Sequence, residues 1–504
     1  MTRESKEREV MDDKFVPELS VPENVTKTLL LVSNSASLEK ALEKLIEIAK
    51  VPDRRFDLST KNVVTAVLQL CQTLSSPSWR YLLLLSLKAL RNMCAGEIRN
   101  QNAFLEQRGV ETVMDVITSV GLTIDPDCEI IRVGLQLLGN YSVAGREHQC
   151  DVWYQMFPHR FLKIARVRSR EICDPLCMAI YTCCEGTDGL LTELSSEQGL
   201  PILKEIICTS SAVGLREDWL KLLLSKICIE GSYFSSIFFK LHSHPCVKNN
   251  DIVTHLAYQF VSEQAHLLSI LSEILNEQLE HIVVSHVFAL SIFGIFKSSA
   301  VVVDFSNRGK DDLPTGSAPI DVLGYSLVIL RDICACGHLT SSREEGPKDV
   351  VDILVSSGLI ELLLDLLRNL EPPTTIRKSM TQDQIKEATS SSSLRCCPYK
   401  GFRRDIVAIL GNCAYSRRHV QDEIRDKNGI LLLLQQCVTD DDNPFLREWG
   451  IWCVRNLLEG NAENQGAVAD LELQGTADVP ELARLGLQVE VDPKTRRAKL
   501  VNAA

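Results

Sequence analysis

Two copies of one helical pattern lie 44 residues apart, and a fixed Asn-to-Gly interval recurs elsewhere in the chain. Together they predict an all-α protein, an armadillo/HEAT-like right-handed α-solenoid. The first copy closes an apolar run with Ile409-Leu410-Gly411-Asn412-Cys413-Ala414, the second with Cys453-Val454-Arg455-Asn456-Leu457-Leu458. Each passes through a polar loop to a glutamine, Gln421 or Gln465, where the next helix begins. A period of about 40–47 residues is that of stacked helical repeats, whose units bury their apolar faces only against neighbours.

The elements follow in order. Met1 to Val21 reads as a polar start, and apolar residues at Leu38, Leu42, Leu45, Ile46 and Ala49 mark a capping helix. Four polar-Pro pairs, Ser76-Pro77, Asp125-Pro126, Asp174-Pro175 and Asn443-Pro444, read as openings of inner helices. A polar side chain can cap a helix, and proline fits its first turn, where an N–H would go unused. The first two of these helices end at Asn92 and Asn140, and Thr182 holds that position in the third. Seventeen residues after Asn92, Thr182 and Asn412 stand Gly109, Gly199 and Gly429, each ahead of an apolar helix. Glycine at such a turn suggests a left-handed residue ending the preceding helix. Three helices per unit is the armadillo pattern rather than the two-helix tetratricopeptide one. Lys226 and Asp332 occupy the Asn position in weaker units.

The expected organisation is a tail and capping helices over 1–60, repeats over 61–297, a loop at 298–319 and further repeat over 320–370. A disordered insertion is expected at 371–399, then a carboxy-terminal repeat domain and tail over 400–504. Within it, Val479 to Leu485 closes the array and Lys494 to Ala504 is a polar tail.

Composition narrows the function. A chain of 504 residues exceeds what one compact core supports. Its net charge of −12 argues against nonspecific binding to nucleic acid or anionic membrane. The run Ile282 to Phe296 is too short to span a bilayer. Most of the 18 cysteines fall at apolar helix positions, as expected of small buried hydrophobes in a reducing, cytoplasmic setting. No phosphate loop, G-x-S-x-G, H-E-x-x-H or dinucleotide fingerprint occurs. His242-Ser243-His244-Pro245-Cys246 lacks a second ligand cluster. Neither catalysis nor a cofactor or metal is expected.

The segments Tyr399-Lys400-Gly401-Phe402, Asp442-Asn443-Pro444-Phe445-Leu446, Glu448-Trp449 and Arg455-Asn456-Leu457 resemble the carboxy-terminal domain of the ataxin-10 family. So do Leu410-Gly411-Asn412, Gln421-Asp422, Asn428-Gly429-Ile430 and Asn464-Gln465. The resemblance covers about 100 residues closely and the remainder only in repeat character. It implies a noncatalytic cytoplasmic armadillo-type protein, linked through protein partners to cell survival, differentiation and division.

The candidate protein-binding residues are Asn92, Asn140, Asn412, Trp452 and Asn456. An Asn row on the inner helices could clamp an extended peptide, since each amide both donates and accepts. It could equally bond the backbone of a neighbouring unit. Trp452 stands one helical turn before Asn456, whereas Lys88, Gln136 and Ala408 hold that offset elsewhere, so a full tryptophan ladder is missing. The clusters Arg166-Val167-Arg168-Ser169-Arg170, Arg403-Arg404 and Arg417-Arg418-His419 read as solvated surface. Asp440-Asp441-Asp442 suits a helix N-terminus, and Cys396-Cys397 is expected to be exposed. The reading is a protein-interaction scaffold, with proteins as partners and self-association among the possibilities. The alternatives are a cargo transport adaptor and a regulator of a small GTPase.

Overall fold

The computed structural model describes residues 35–74, 76–242, 260–278, 282–336, 349–379, 395–471, 487–491 and 498–502. The fold is all-α and armadillo-like, with one carboxy-terminal β-hairpin. The chain divides into two compact units, 1–209 and 210–504.

In the first unit the helices are α1 (Ser35–Ala49), α2 (Pro52–Thr60), α3 (Val63–Thr73), α4 (Arg80–Met93), α5 (Ile98–Glu106) and α6 (Gly109–Val116). They continue with α7 (Cys128–Ser142), α8 (Arg146–Met156), α9 (His159–Ala165), α10 (Arg170–Cys184), α11 (Asp188–Leu194) and α12 (Leu200–Val213). The inner helices α1, α4, α7 and α10 pack in series, each against the next. Every third or fourth residue of α4 and α7 is apolar and buried, among them Leu83, Leu87, Leu90, Leu135 and Leu138.

In the second unit they are α13 (Asp218–Leu224), α14 (Phe234–His242), α15 (Ser262–Gln278), α16 (His286–Val302), α17 (Ala318–Cys336), α18 (Val350–Ser356) and α19 (Leu359–Asn369). After these come α20 (Thr374–Ser379), α21 (Phe402–Ala414), α22 (Arg418–Asp426), α23 (Gly429–Leu434), α24 (Leu446–Leu458) and α25 (Ala462–Ala469). Here α17 packs on α21 and α21 on α24. Strands β1 (Leu487–Val491) and β2 (Ala498–Asn502) pair antiparallel, Leu487 opposite Asn502. A strand therefore lies within the stretch expected to be a polar tail, and 479–485 lies outside the described residues.

Among the described residues no single helix is long and apolar enough to cross a membrane. The pair Asp218–Glu230 and Phe234–His242 would have to act together across a 111° bend. Its apolar side chains, such as Leu220, Leu223, Ile227 and Phe238, are already buried in the protein.

Three of the four polar-Pro pairs stand just ahead of an inner helix, but none of their polar side chains caps that helix. Pro77 starts a single 3-10 turn ahead of α4, and Asp127 rather than Asp125 caps α7 by accepting from the Ile130 N–H. Pro175 opens nothing: it lies inside α10, which begins at Arg170 after Ser169.

The recurrent glycines serve a different purpose from the one expected. Gly109 and Gly429 are the first residues of α6 and α23, and the left-handed residue is the one before, Arg108 (φ 53°) or Asn428 (φ 55°). A Cβ on Gly109 would lie 2.5 Å from the Phe104 ring, one on Gly429 2.7 Å from Ile424, and one on Gly199 2.0 Å from the Leu194 carbonyl. The constraint is close packing of one helix end on the next helix.

Two expected boundaries shift. Helix α16 runs to Val302, into the stretch expected to be loop from 298. Both ends of the expected disordered insertion 371–399 are ordered and packed, and 380–394 lies outside the described residues. Residues 374–379 form α20, and Leu370 bridges Arg395. Cys396 N–H donates to the Phe305 carbonyl (2.8 Å), Gly309 N–H to that of Cys397 (2.9 Å), and Tyr399 is 1% exposed. Backbone bonds to the 303–311 loop hold the second end in place, and the sequence of either segment alone does not reveal that partner.

The second unit also buries a histidine. Ser210 gives its single hydroxyl proton to the Leu215 carbonyl (2.9 Å), so His266 Nε2–H donates to Ser210 Oγ (2.8 Å). Burial, and then the nearby Arg216 cation, lower the His266 pKa to about 4. The unfolded chain, with a histidine pKa of about 6.5, binds more protons than the folded one between these values. Stability should therefore fall as pH drops from about 6.5 toward 4. In denaturant titrations the His266→Gln variant should lose less, by on the order of 2–3 kcal/mol at pH 4.

Candidate functional site: an amide ladder and a polar clamp

An α-helix leaves its last carbonyls without intrahelical donors. In stacked repeats these ends lie against neighbouring units, away from water, and need partners. The Asn row supplies them. In the first unit Asn92 Nδ2 donates to the Ile46 carbonyl (3.4 Å) and Asn140 Nδ2 to that of Arg91 (3.1 Å). In the second, Asn412 Nδ2 donates to the Arg331 carbonyl (3.4 Å) and Asn456 Nδ2 to that of Gly411 (3.0 Å). Each Asn thus reaches back to the preceding inner helix. For Asn140, Asn412 and Asn456 the acceptor is the residue just before the equivalent position.

A second row runs the opposite way, and sequence reasoning missed it. Nine residues after Asn92, Asn140, Asn412 and Asn456 stand Gln101, Gln149, Gln421 and Gln465. Gln101 Nε2 donates forward to the Asn140 carbonyl (2.8 Å), and Gln149 Nε2 to those of Thr182 (3.0 Å) and Glu185 (3.2 Å). Gln421 Nε2 donates to the carbonyls of Asn456 (2.8 Å) and Glu459 (3.2 Å). Gln465, with no later inner helix among the described residues, turns back to Leu458 (2.8 Å). The constant Asn-to-Gln interval was the available signal.

Where the Asn is replaced, no side-chain amide is there to reach back. Thr182 Oγ1 bonds the Met178 carbonyl of its own helix (2.8 Å), and Lys226 pairs with Glu230 (3.1 Å). Asp332 has no amide proton to give and accepts from Arg331 Nε (3.0 Å). Burial raises the pKa of its carboxyl.

The row and the tryptophan do not share a groove. Asn456 is 1% exposed with its Nδ2 committed, whereas Trp452 is 45% exposed under the Arg455 guanidinium, 4.9 Å from the ring centroid. Phe445, Ile451 and Leu431 are exposed nearby in sequence.

The other built feature of the second unit is a polar clamp on α21. Asn443 is 1% exposed; its Oδ1 accepts the Arg403 N–H (2.9 Å), capping α21, while Nδ2 donates to Asp440 Oδ2 (3.1 Å). Arg403, expected on the surface, is 3% exposed. Its guanidinium reaches Gln436 Oε1 (3.1 Å) and the Glu371 carbonyl, and burial lowers its pKa. Arg308 pairs with both Glu371 and Asp442. Thr374 Oγ1 donates to Asp440 Oδ1 (2.8 Å). Alongside, Asp405 collects Arg331 (3.0 Å), Arg404 (2.9 Å) and the Tyr399 hydroxyl (3.1 Å). Arg417 is likewise buried, against Asp349 and Asp352. Cys397 is buried rather than exposed. These arginines are drawn inward by carboxylates and carbonyls distant in sequence. Among the described residues no three ligating side chains gather as a metal site. His244 and Cys246 lie outside the described residues.

The stretch that holds Arg403, Asn443 and the last two repeats matches a known domain. Residues 402–501 match the family model of the spinocerebellar ataxia type 10 protein domain. Ataxin-10 of Bos taurus is 26% identical over 410 residues, covering 80% of this chain and 78% of that one. The ataxin-10 homolog of Dictyostelium discoideum is 45% identical over 92 residues, 18% of this chain and 15% of that one. The chain thus carries an ataxin-10 domain at 402–501 and is similar to ataxin-10 over most of its length. Among solved structures, a designed armadillo repeat protein, YIII(Dq.V1)4CPAF, covers 50% of this chain and 99% of its own at 16% identity and a TM-score of 0.31. Within the ataxin-10 segment, Asn443 is the cap and Asn456 and Gln421 the inter-repeat amides.

Two stability measurements check the ladder and the clamp. Gln421→Ala strands carbonyls at two helix ends and should cost about 1–3 kcal/mol in chemical unfolding, against less than about 0.5 kcal/mol for the exposed Gln465→Ala. Asn443→Ala should cost about 1–3 kcal/mol, and Asn443→Asp should not restore it, because a second carboxylate would face Asp440.

Proposed function

We propose that this chain, like the ataxin-10 proteins it resembles, is a noncatalytic, cytoplasmic scaffold that docks protein partners, in support of cell survival, differentiation or division. Its repeat architecture and its similarity to ataxin-10 support a scaffold. The observation that carries the docking reading is the contrast at α24. The polar row is engaged within the protein, while Trp452, Ile451 and Arg455 on the same helix remain open to solvent. Tryptophan and arginine are among the residue types most enriched at binding hot spots. Trp452 and Arg455 are thus the proposed contact residues; Asn456 ties α24, which presents them, to α21, as Asn92, Asn140 and Asn412 tie their own helices. A cargo adaptor of the import-receptor kind would need a row of tryptophans that this chain lacks. A small-GTPase regulator would accelerate nucleotide release in a direct assay, and a scaffold would not.

Trp452→Ala with Arg455→Ala should leave unfolding stability within about 0.5 kcal/mol, since both side chains are exposed. The same double variant should lose partners seen by proximity labelling of the wild type. An unchanged partner set would move the docking surface elsewhere.

A further inference from the structure

We infer that the groove between α14 and α16 receives an amphipathic helix of a protein partner, one with an apolar face and acidic flanks. The inference rests on the scaffold reading and gives it a second, separate surface.

The groove opens on a cavity of about 300 Å³ lined by Phe238, Phe239, Phe260, Gly294 and Ile295, with serines between them. That volume is at the bottom of the range for small-molecule sites, ~300–1,000 Å³, and suits one or two side chains rather than a cofactor. Its serine and glutamine side chains are already matched, and the His242 ring lies at its edge. Ser235 Oγ donates to Ser291 Oγ (2.7 Å), which donates to the Val287 carbonyl (2.7 Å), and Ser298 Oγ donates to the Gly294 carbonyl (2.9 Å). Gln264 donates to the Phe238 carbonyl (2.9 Å) and accepts the Val261 N–H (3.1 Å). The lining therefore favours an apolar occupant.

Helix α16 extends this surface. Val287, Leu290, Gly294 and Val301 are exposed at intervals of three to seven residues, with half-buried Ser291 and Ser298 between them, one stripe of the helix. From Val287 to Val301 the stripe is roughly 21 Å long at 1.5 Å per residue, about four turns of a docked helix. Gly294 and the serines lower its middle, and Phe239, 63% exposed, stands at its side. The walls are helices whose backbone groups are bonded internally, so an extended peptide would find no ladder. A helix satisfies its own backbone and offers side chains at the matching period.

Charge selects the flanks. The chain carries 66 acidic against 54 basic residues, yet neither Phe234–His242 nor His286–Val302 contains an Asp or Glu. Their charged side chains are Lys240 and Lys297, joined by the titratable His242 and His286. Beside the lining residue Gln264, the Glu263 carboxylate accepts from Ser262 (3.1 Å). An acidic partner is attracted here, while a second copy would bring the same lysines.

The test uses the full chain and a fluorescent synthetic helix of about 18 residues, with Leu and Phe at i, i+4, i+7 and i+11 and Glu elsewhere. A Lys-for-Glu counterpart is the control. Anisotropy should show binding of the Glu peptide and at least about tenfold weaker binding of the Lys peptide. Gly294→Leu fills the cavity, and a Cβ there meets nothing within 4 Å, so the fold accepts it. It should weaken the Glu peptide at least about tenfold with thermal unfolding unchanged. Lys240→Glu with Lys297→Glu should reverse the preference between the peptides. No binding, equal binding of both peptides, or binding indifferent to Gly294→Leu would overturn the inference. So would a concentration-dependent dimer in sedimentation that Gly294→Leu abolishes, which would assign the groove to a second copy. Proximity labelling separates the two readings: partners kept by Gly294→Leu overturn the groove alone, and no partners for the wild type overturn the scaffold.

Discussion

The architecture depends on satisfying the carbonyls at inner-helix ends that stacking shields from water. A lone helix would leave them to solvent or to a cap of its own. Here a repeat that keeps the pair caps its neighbours: an asparagine reaches back and a glutamine reaches forward, so polar satisfaction and repeat register are the same interaction. Each such bond contributes about 1 kcal/mol, small beside apolar burial, but its absence leaves a buried acceptor at a cost of about 1–3 kcal/mol. The ladder therefore selects one register among stackings that apolar packing alone would treat as nearly equal.

The same accounting explains the clamp on α21. The loop before α24 folds back so that Asn443 caps α21, and Asp440 and Asp442 meet Thr374 and Arg308 from segments up to 134 residues away. The ends of a long insertion are thus held even though its composition reads as loop. Burying Arg403 is tolerable because its two terminal nitrogens meet Gln436 and the Glu371 carbonyl, with Asp440 nearby as counter-charge (4.0 Å). Removing one partner would leave a buried charge less well matched, which ties these residues to one another.

Two kinds of surface remain once these internal demands are met. On α24 a tryptophan and an arginine stay exposed although the row beside them is buried. On α14 and α16 an apolar stripe lies open in helices free of acidic residues. Neither feature serves the packing of its own unit. Both would have been lost in a reading that assigned recognition to the asparagines, of which Asn456 is too buried to meet a partner.

Much of the fold was legible in the sequence. Period, apolar stripes and polar-Pro pairs are local, so inner helices such as 80–93, 128–142, 402–414 and 446–458 could be read directly. The Asn-to-Gln interval was equally legible, though its meaning was not. What the tertiary structure alone decided is where polar side chains go. Whether Asn456 faces a peptide or the Gly411 carbonyl, whether Arg403 meets water or Gln436, and whether Gly429 serves a left-handed turn or a close approach to Ile424 all depend on distant partners. The chain by itself determined the repeating unit, because helix periodicity is written within a dozen residues. The buried amides and the open surfaces were set by stacking, because a hydrogen bond or a cavity exists only when both of its sides are in place.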